Sequence, residues 1–168
     1  MNIVGKNQTY NHQQLKNISK RTMKSITKNK KAYFEYQILE KVTAGIQLQG
    51  SEVKSIKASK VSIAEAYCYI KDGEMFIKGM HVTEHKEGGI HNNHQPVRDR
   101  KLLLKKKEIL AFDEKLSQKG LTIIPLEIIL SNTGFVKLEV GLAKGKNLYD
   151  KRNSIKEKDL KRELERNL

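Results

Sequence analysis

The sequence predicts a small, mainly β domain with flanking helices. The expected form is an OB-fold-like closed antiparallel β-barrel with a flexible basic N-terminal arm and a basic C-terminal tail. Three observations lead there. Several short segments alternate apolar and polar residues with the period of two that marks half-buried strands. Asp72-Gly73 sits between two of them and is a strong two-residue hairpin signal, since both positions tolerate positive φ. Helical patterns are too few to connect the strands as βαβ units, which excludes a parallel sheet. Short strands joined by hairpins and longer crossovers suit the small barrels on which OB-folds bind oligonucleotides.

At 168 residues the chain fits one domain plus tails. The divisions expected are 1–31 for the arm, 32–144 for the barrel and 145–168 for the tail. Residues Met1 to Lys31 hold eight Lys/Arg and no acid, and lack apolar periodicity. Such a segment buries too little area to offset its ordering entropy. Order is expected from about Ala32. Tyr33 to Glu40 alternates as a strand with Phe34, Tyr36 and Ile38 on one face. Ala44 to Gln49 continues as a second strand, with Gly45 near the bend. Ser51 is expected to cap a short helix to about Ala58 that buries Val53 and Ile56 and exposes Glu52, Lys54 and Lys57. The hairpin follows, from Ala66 to Lys71 and from Glu74 to Met80.

Thr83 to Val97 breaks into a His-, Asn- and Gly-rich loop. The longest helix is then expected over about Arg100 to Lys119, with Gly120 as its stop. Leu121 to Leu130 reads as an apolar strand, in which Pro125 marks an edge or a bulge. Ser131 to Gly134 is a turn. Phe135 to Ala143 alternates, with Val136, Leu138, Val140 and Leu142 inward and Lys137 and Glu139 outward. In the tail, Ser154 with Glu157 forms a capping-box pattern. Beyond it only Ile155, Leu160, Leu164 and Leu168 are apolar, one per turn. A stripe this thin is expected to fold poorly alone and to become helical against a partner.

Charge names the kind of partner. The formal net charge is +14 and the pI about 9.8, and the positive residues are clustered, as on nucleic-acid-binding chains. Nine Lys/Arg lie between Lys144 and Arg166. Arg98, Arg100, Lys101, Lys105, Lys106 and Lys107 cluster at the front of the expected long helix, and with Lys54 and Lys57 they are expected to form one phosphate-binding face. Most aromatics are expected inward. Tyr149 lies beyond the barrel among Asp150, Lys151 and Arg152, where an aromatic among cations suits base stacking.

No catalytic constellation emerges, and no enzyme is expected. No Ser-His-Asp or Cys-His pairing stands out. Gly141 to Asn147 looks superficially like a phosphate loop, but three residues separate Gly141 and Gly145 where four are needed, and Asn147 replaces the Ser or Thr. Gly145 reads better as a pivot into the tail. His81, His85, His91 and His94 are close in sequence without ligand spacing, so no metal or cofactor is expected. The one cysteine, Cys68, falls in an apolar run and is expected in the core. A single cysteine, no apolar stretch of signal-peptide length at the start and no membrane-length apolar window point to a cytoplasmic protein and no membrane partner.

Five blocks, in order, resemble one family. They are Ala44-Gly45-Ile46-x-Leu48-x-Gly50-x-Glu52-Val53-Lys54-Ser55-Ile56; Asn93-His94-x-Pro96; Arg100-Lys101-Leu102-Leu103-Leu104; Lys119-Gly120-Leu121-Thr122-Ile123-x-Pro125-Leu126; and Leu142-Ala143-Lys144-Gly145-Lys146-x-x-x-Asp150-Lys151-Arg152-x-x-Ile155-Lys156. On these the chain is similar to the SsrA-binding (small protein B) family, from about Asn29 to Arg166. The resemblance implies an adaptor that binds the tRNA-like domain of transfer-messenger RNA and delivers it to stalled ribosomes in trans-translation, as a monomer, one per RNA. Carried over by position, the RNA face would use Thr43, Ala44, Gly45, Glu52, Lys54, Asn93, His94, Arg100, Lys101, Leu103 and Lys105. Contact with the small-subunit decoding centre and mRNA channel would use Gly145, Lys146, Tyr149, Asp150, Lys151, Arg152, Ile155 and Lys156. Thr43 stands where many relatives have Glu, Lys105 where Asn or His is common, and Gln95 where a relative has Asp. The alternative is a structural or assembly rRNA-binding protein of the ribosome. An RNA-modifying enzyme would need a cofactor fingerprint that the sequence lacks.

Overall fold

This computed structural model describes residues 23–84 and 93–166, and among them nine strands and four helices follow one another. They are β1 (Lys24–Lys28), α1 (Lys30–Glu35), β2 (Tyr36–Ile46), α2 (Gly50–Lys57), β3 (Val61–Ser62), β4 (Tyr67–Lys71), β5 (Glu74–Lys78), β6 (His81–Val82), β7 (Arg100–Leu103), α3 (Lys106–Leu116), β8 (Leu121–Leu130), β9 (Val136–Gly145) and α4 (Leu148–Arg166). Seven strands pair in the order β1-β8-β4-β5-β7-β2-β9, and β8 pairs with β9 as well; β3 and β6 form a separate pair. Every pairing is antiparallel. The chain is mainly β with few helices, as expected.

The alternation in the sequence places the core. Val136, Leu138, Val140 and Leu142 of β9 are buried together with Ile123 and Ile128 of β8, Met75 and Ile77 of β5 and Leu102 of β7. Cys68 lies among them, and burial pushes its thiol pKa up. The hairpin forms as expected, with Asp72 at φ 53° and Gly73 at φ 72° in its two-residue turn. Pro125 does mark a bulge: the β8–β9 register shifts between Pro125 and Glu127.

Several expectations are corrected. Order begins earlier than Ala32, because Lys24–Lys28 pairs with β8 and Asn29 ties the next turn down. The Asn29 side chain accepts from the Ala32 N–H at 3.0 Å and donates to the carbonyls of Ile63 and Pro125, each at 3.0 Å. This cap starts a helix over 30–35, so Tyr33 to Glu35 are helical rather than extended, and Tyr33 and Phe34 are exposed. The rest of the expected arm, residues 1–22, lies outside the described residues. From Tyr36 to Ile46 one strand replaces the expected two.

The long helix starts late. Arg100–Leu103 is a strand with Arg100 and Leu102 inward, and α3 begins only at Lys106. Glu108 accepts from the Lys105 N–H at 2.9 Å and so closes that helix start. The tail helix starts early instead, at Leu148, so Ser154 is interior to it. The segment is helical from Leu148 to Arg166. Its composition favours this: it is rich in Leu, Glu, Lys and Arg, with Asp150 in the first turn and Asp159 3.8 Å from Arg162. No helix among the described residues is long and apolar enough to cross a membrane.

Candidate nucleic-acid interface

The outward face of β7–β2–β9 is the centre of the expected RNA surface. Ala44 and Ile46 point inward, so Thr43 and Gly45 point out. Gly45 pairs with Leu103 on one side and with Lys137 on the other. Leu103, Gly45 and Lys137 therefore form one row across three strands. A β-carbon added at Gly45 would lie 3.2 Å from Leu103 Cβ, so the glycine lets the neighbouring side chain lie flat across it. Leu103 itself is 55% exposed, unusual for a leucine beside a core strand. Thr43 pairs with Glu139, whose carboxylate receives the Lys41 ammonium at 3.2 Å.

Lysines bracket this row at both ends. Lys105, Lys106 and Lys107 follow β7 beyond Leu103 and are exposed. Lys54 and Lys57 stand exposed on α2, which begins just beyond the other end of β2. Lys101 differs, because its ammonium is ion-paired with Glu74. A cleft of about 670 Å³ runs between the β4–β5 turn and the start of α3, lined by Lys101, Leu103, Lys106 and Leu110 among others. Sequence reasoning also placed most aromatics inward. Tyr69 and Phe76 instead share the outward face of β4–β5, stacked with centroids 5.5 Å apart, and Phe76 pairs with Lys101. Cys68, Met75 and Ile77 hold the inward positions, which leaves the aromatics outside.

Four expected RNA contacts are buried instead: Ala44, inward on β2, and Glu52, Arg100 and His94. Glu52, expected to be exposed, has no exposed surface, and neither has Arg100; His94 is buried too. The Glu52 carboxylate accepts from Arg98 Nε at 2.9 Å and Nη2 at 2.6 Å, from Arg100 Nε at 2.9 Å and from the Gln49 N–H at 2.7 Å. Arg100 Nη1 donates to the carbonyls of Met80 at 2.8 Å and Arg98 at 3.0 Å, and Nη2 to that of Pro96 at 3.3 Å. Burial alone would raise the Glu52 pKa; the Arg98 hydrogen bonds, the Gln49 N–H and the charge of Arg100 outweigh it and hold the carboxyl below its ordinary value. Burial pulls the Arg100 pKa down from its ordinary value, against the pull of Glu52. His94 Nε2 is 3.0 Å from the Val82 carbonyl, which can only accept, so that nitrogen carries a proton; Nδ1 is 3.0 Å from Ser51 Oγ. Glu52, Arg98, Arg100, His94 and Ser51 thus clamp α2 to the segment leading into β7. Arg98 and Arg100 belong to this clamp, not to an open phosphate face. Asn93, half-buried, precedes His94. The clamp was hard to foresee because its partners are 46 and 48 residues apart.

At the other end, Gly145 is the last residue of β9 and pairs with Tyr36. It has open space where a β-carbon would lie, and it is no pivot beyond the strand. The chain is held one residue later: the Lys146 N–H donates to the Glu35 carbonyl at 2.8 Å and Nζ to that of Tyr33 at 3.2 Å, so α1 anchors the start of α4. Asp150, Arg152, Ile155 and Lys156 are exposed on α4. The side chains of Tyr149 and Lys151 lie outside the described residues, as do His85 and His91. Among the described residues no group of His, Cys, Asp and Glu is arranged to hold a metal ion.

Known proteins share this chain's sequence and architecture. The model of the SmpB protein family matches residues 26–168. An SsrA-binding protein of Cytophaga hutchinsonii is 50% identical over 139 residues, covering 83% of this chain and 90% of that protein. One of Acholeplasma laidlawii is 51% identical over 146 residues, covering 87% and 97%. One of Acetivibrio thermocellus is 46% identical over 151 residues, covering 90% and 97%. A solved structure described as "tmRNA-SmpB: a journey to the center of the bacterial ribosome" superposes with a TM-score of 0.62 at 39% identity, covering 73% of this chain and 85% of that one. With a match of this extent, the chain belongs to the SmpB protein family.

Proposed function

We propose that this chain is an RNA-binding adaptor, not an enzyme, that binds the tRNA-like domain of transfer-messenger RNA and delivers it to stalled bacterial ribosomes for trans-translation. The observation that carries this reading is family membership across both the strands and the C-terminal helix. Its barrel is OB-like and closed: the pairings run β8-β4-β5-β7-β2-β9 and return to β8, which supports closure. The RNA strip comprises Thr43, Gly45, Leu103 and Lys105, with Lys54 and Lys101 at its margins and Asn93 nearby. Ala44, Glu52, His94 and Arg100 act from beneath, by holding β2, α2 and β7 in place. The outward row with lysines at both ends supports this division.

The segment from Gly145, through Lys146, Tyr149, Asp150, Lys151, Arg152, Ile155 and Lys156, engages the small-subunit decoding centre and mRNA channel. Its support is an exposed cationic helix leaving the barrel at one anchored point. The working form is a cytoplasmic monomer, one per RNA, without cofactor.

Sequencing the RNA recovered with tagged protein from a bacterial lysate tests the reading. One dominant RNA with a tRNA-like end, at amounts well below ribosome number, is expected. Recovery in step with ribosomes and persistence in high salt would favour a structural rRNA-binding protein instead.

A further inference from the structure

Among the described residues Phe135 is the most exposed large apolar side chain, at 69%. Its backbone is nonetheless tightly held. The Ser131 N–H donates to the Phe135 carbonyl at 2.9 Å, the Phe135 N–H donates to Ser131 Oγ at 3.0 Å, and the Gly134 N–H donates to the Ser131 carbonyl at 2.9 Å. An aromatic ring is therefore presented to solvent on a rigid turn. It borders a groove of about 320 Å³ lined also by Ile46, Leu48 and Val53. The Lys57 ammonium is beside it: a β-carbon built on Gly134 would lie 3.6 Å from Nζ.

Position gives this ring a partner. On β9, Val136 and Leu138 face inward and Lys137 outward, so Phe135 continues the outward side two residues before Lys137. It thus lies roughly 7 Å along the strand from the row of Leu103, Gly45 and Lys137. An exposed aromatic with Lys57 beside its turn and Lys137 two residues on matches the chemistry of an unpaired nucleobase next to a phosphate.

We propose that Phe135 is a stacking site for one unpaired base of the bound RNA, with Lys57 serving an adjoining phosphate. This rests on the RNA-binding reading above and extends its surface from the β7–β2 row to the β8–β9 turn. The rigid turn places the ring before the RNA arrives, so little ordering is lost on binding.

The chain has no tryptophan, so Phe135→Trp installs a single fluorescent reporter at the site. Full-length wild type, Phe135→Ala, Phe135→Leu and Phe135→Trp would be titrated with a labelled tRNA-like RNA. Thermal melting would show that each variant is folded. Phe135→Ala and Phe135→Leu should each bind about tenfold more weakly, about 1.4 kcal/mol. Phe135→Trp should bind as wild type does, with its emission quenched by RNA. Affinities of the Ala and Leu variants within twofold of wild type would overturn the proposal and leave the patch to a protein partner. So would a tryptophan whose emission saturating RNA does not change. Failure of the wild type itself to bind this RNA is a different result; it would refute the function reading on which the proposal stands.

Discussion

The strand domain and the C-terminal helix treat the same residue types in opposite ways. In the strand domain, Glu52 and Arg100 have no exposed surface and satisfy one another, and Ile123, Ile128, Leu138 and Val140 of β8 and β9 are covered. In α4, Ile155 is 46% and Leu164 60% exposed. The strand domain covers a core of its own, whereas the helix leaves its apolar stripe uncovered. A helix of this kind draws little stability from packing and has contact area left for something else. On the proposed function the two regions do different work: the strand domain offers free RNA a prebuilt surface, and the helix is left for a second partner that covers it.

Breaking the outward face of the strand domain without its core should give the largest effect on RNA binding. Gly45→Glu puts a carboxylate on the outward row, where phosphate would approach. Its β-carbon meets only the exposed Leu103, which can shift a few tenths of an ångström. RNA binding should fall by at least about a hundredfold, near 2.7 kcal/mol, while the melting transition stays close to that of wild type. Loss of binding only along with loss of folding would make Gly45 structural.

Breaking the clamp should act on stability instead. Glu52→Ala leaves the buried Arg100 and the half-buried Arg98 without their carboxylate and should cost about 3–5 kcal/mol in denaturant unfolding. The acid limb carries the sign. The folded Glu52 pKa is depressed, so its contribution is complete above the unfolded value of about 4.3 and is lost as pH falls through the folded value. The stability gap between wild type and Glu52→Gln should therefore narrow as pH drops from about 5 towards 3. A gap independent of pH would mean that the carboxylate charge does not hold the clamp.

How far the sequence could foresee this contrast depended on how local the cause was. Asp72-Gly73 and the alternation of β9 carry their structure within a few residues, and both were legible. Pro125 announced its bulge because a proline cannot donate to the ladder. Arg100–Leu103 read as helix because an arginine at an inward strand position breaks the apolar alternation, and its partner Glu52 is remote in sequence. Tyr33–Glu35 read as strand because the Asn29 cap depends on its contacts with Ile63 and Pro125. On the outward face, the row linking Leu103, Gly45 and Lys137 exists only through strand register and could not be read from the sequence.

A smaller effect sharpens the electrostatic side of the comparison. Lys105 is exposed next to Leu103 at the start of α3. Lys105→Ala should weaken binding and reduce the slope of log affinity against log salt by a little under one unit, about the release of one counterion. An unchanged slope and affinity would make it a solvated bystander.

The division of labour is tested most directly by one truncated protein assayed twice. Removing Asn153 to Leu168 deletes most of α4 and leaves the Lys146 anchor on α1 intact. Affinity for the free tRNA-like RNA should stay within about threefold, a change of roughly 0.7 kcal/mol or less, while peptide tagging on stalled ribosomes is lost. Tagging at the normal rate, or loss of free-RNA binding, would contradict the account.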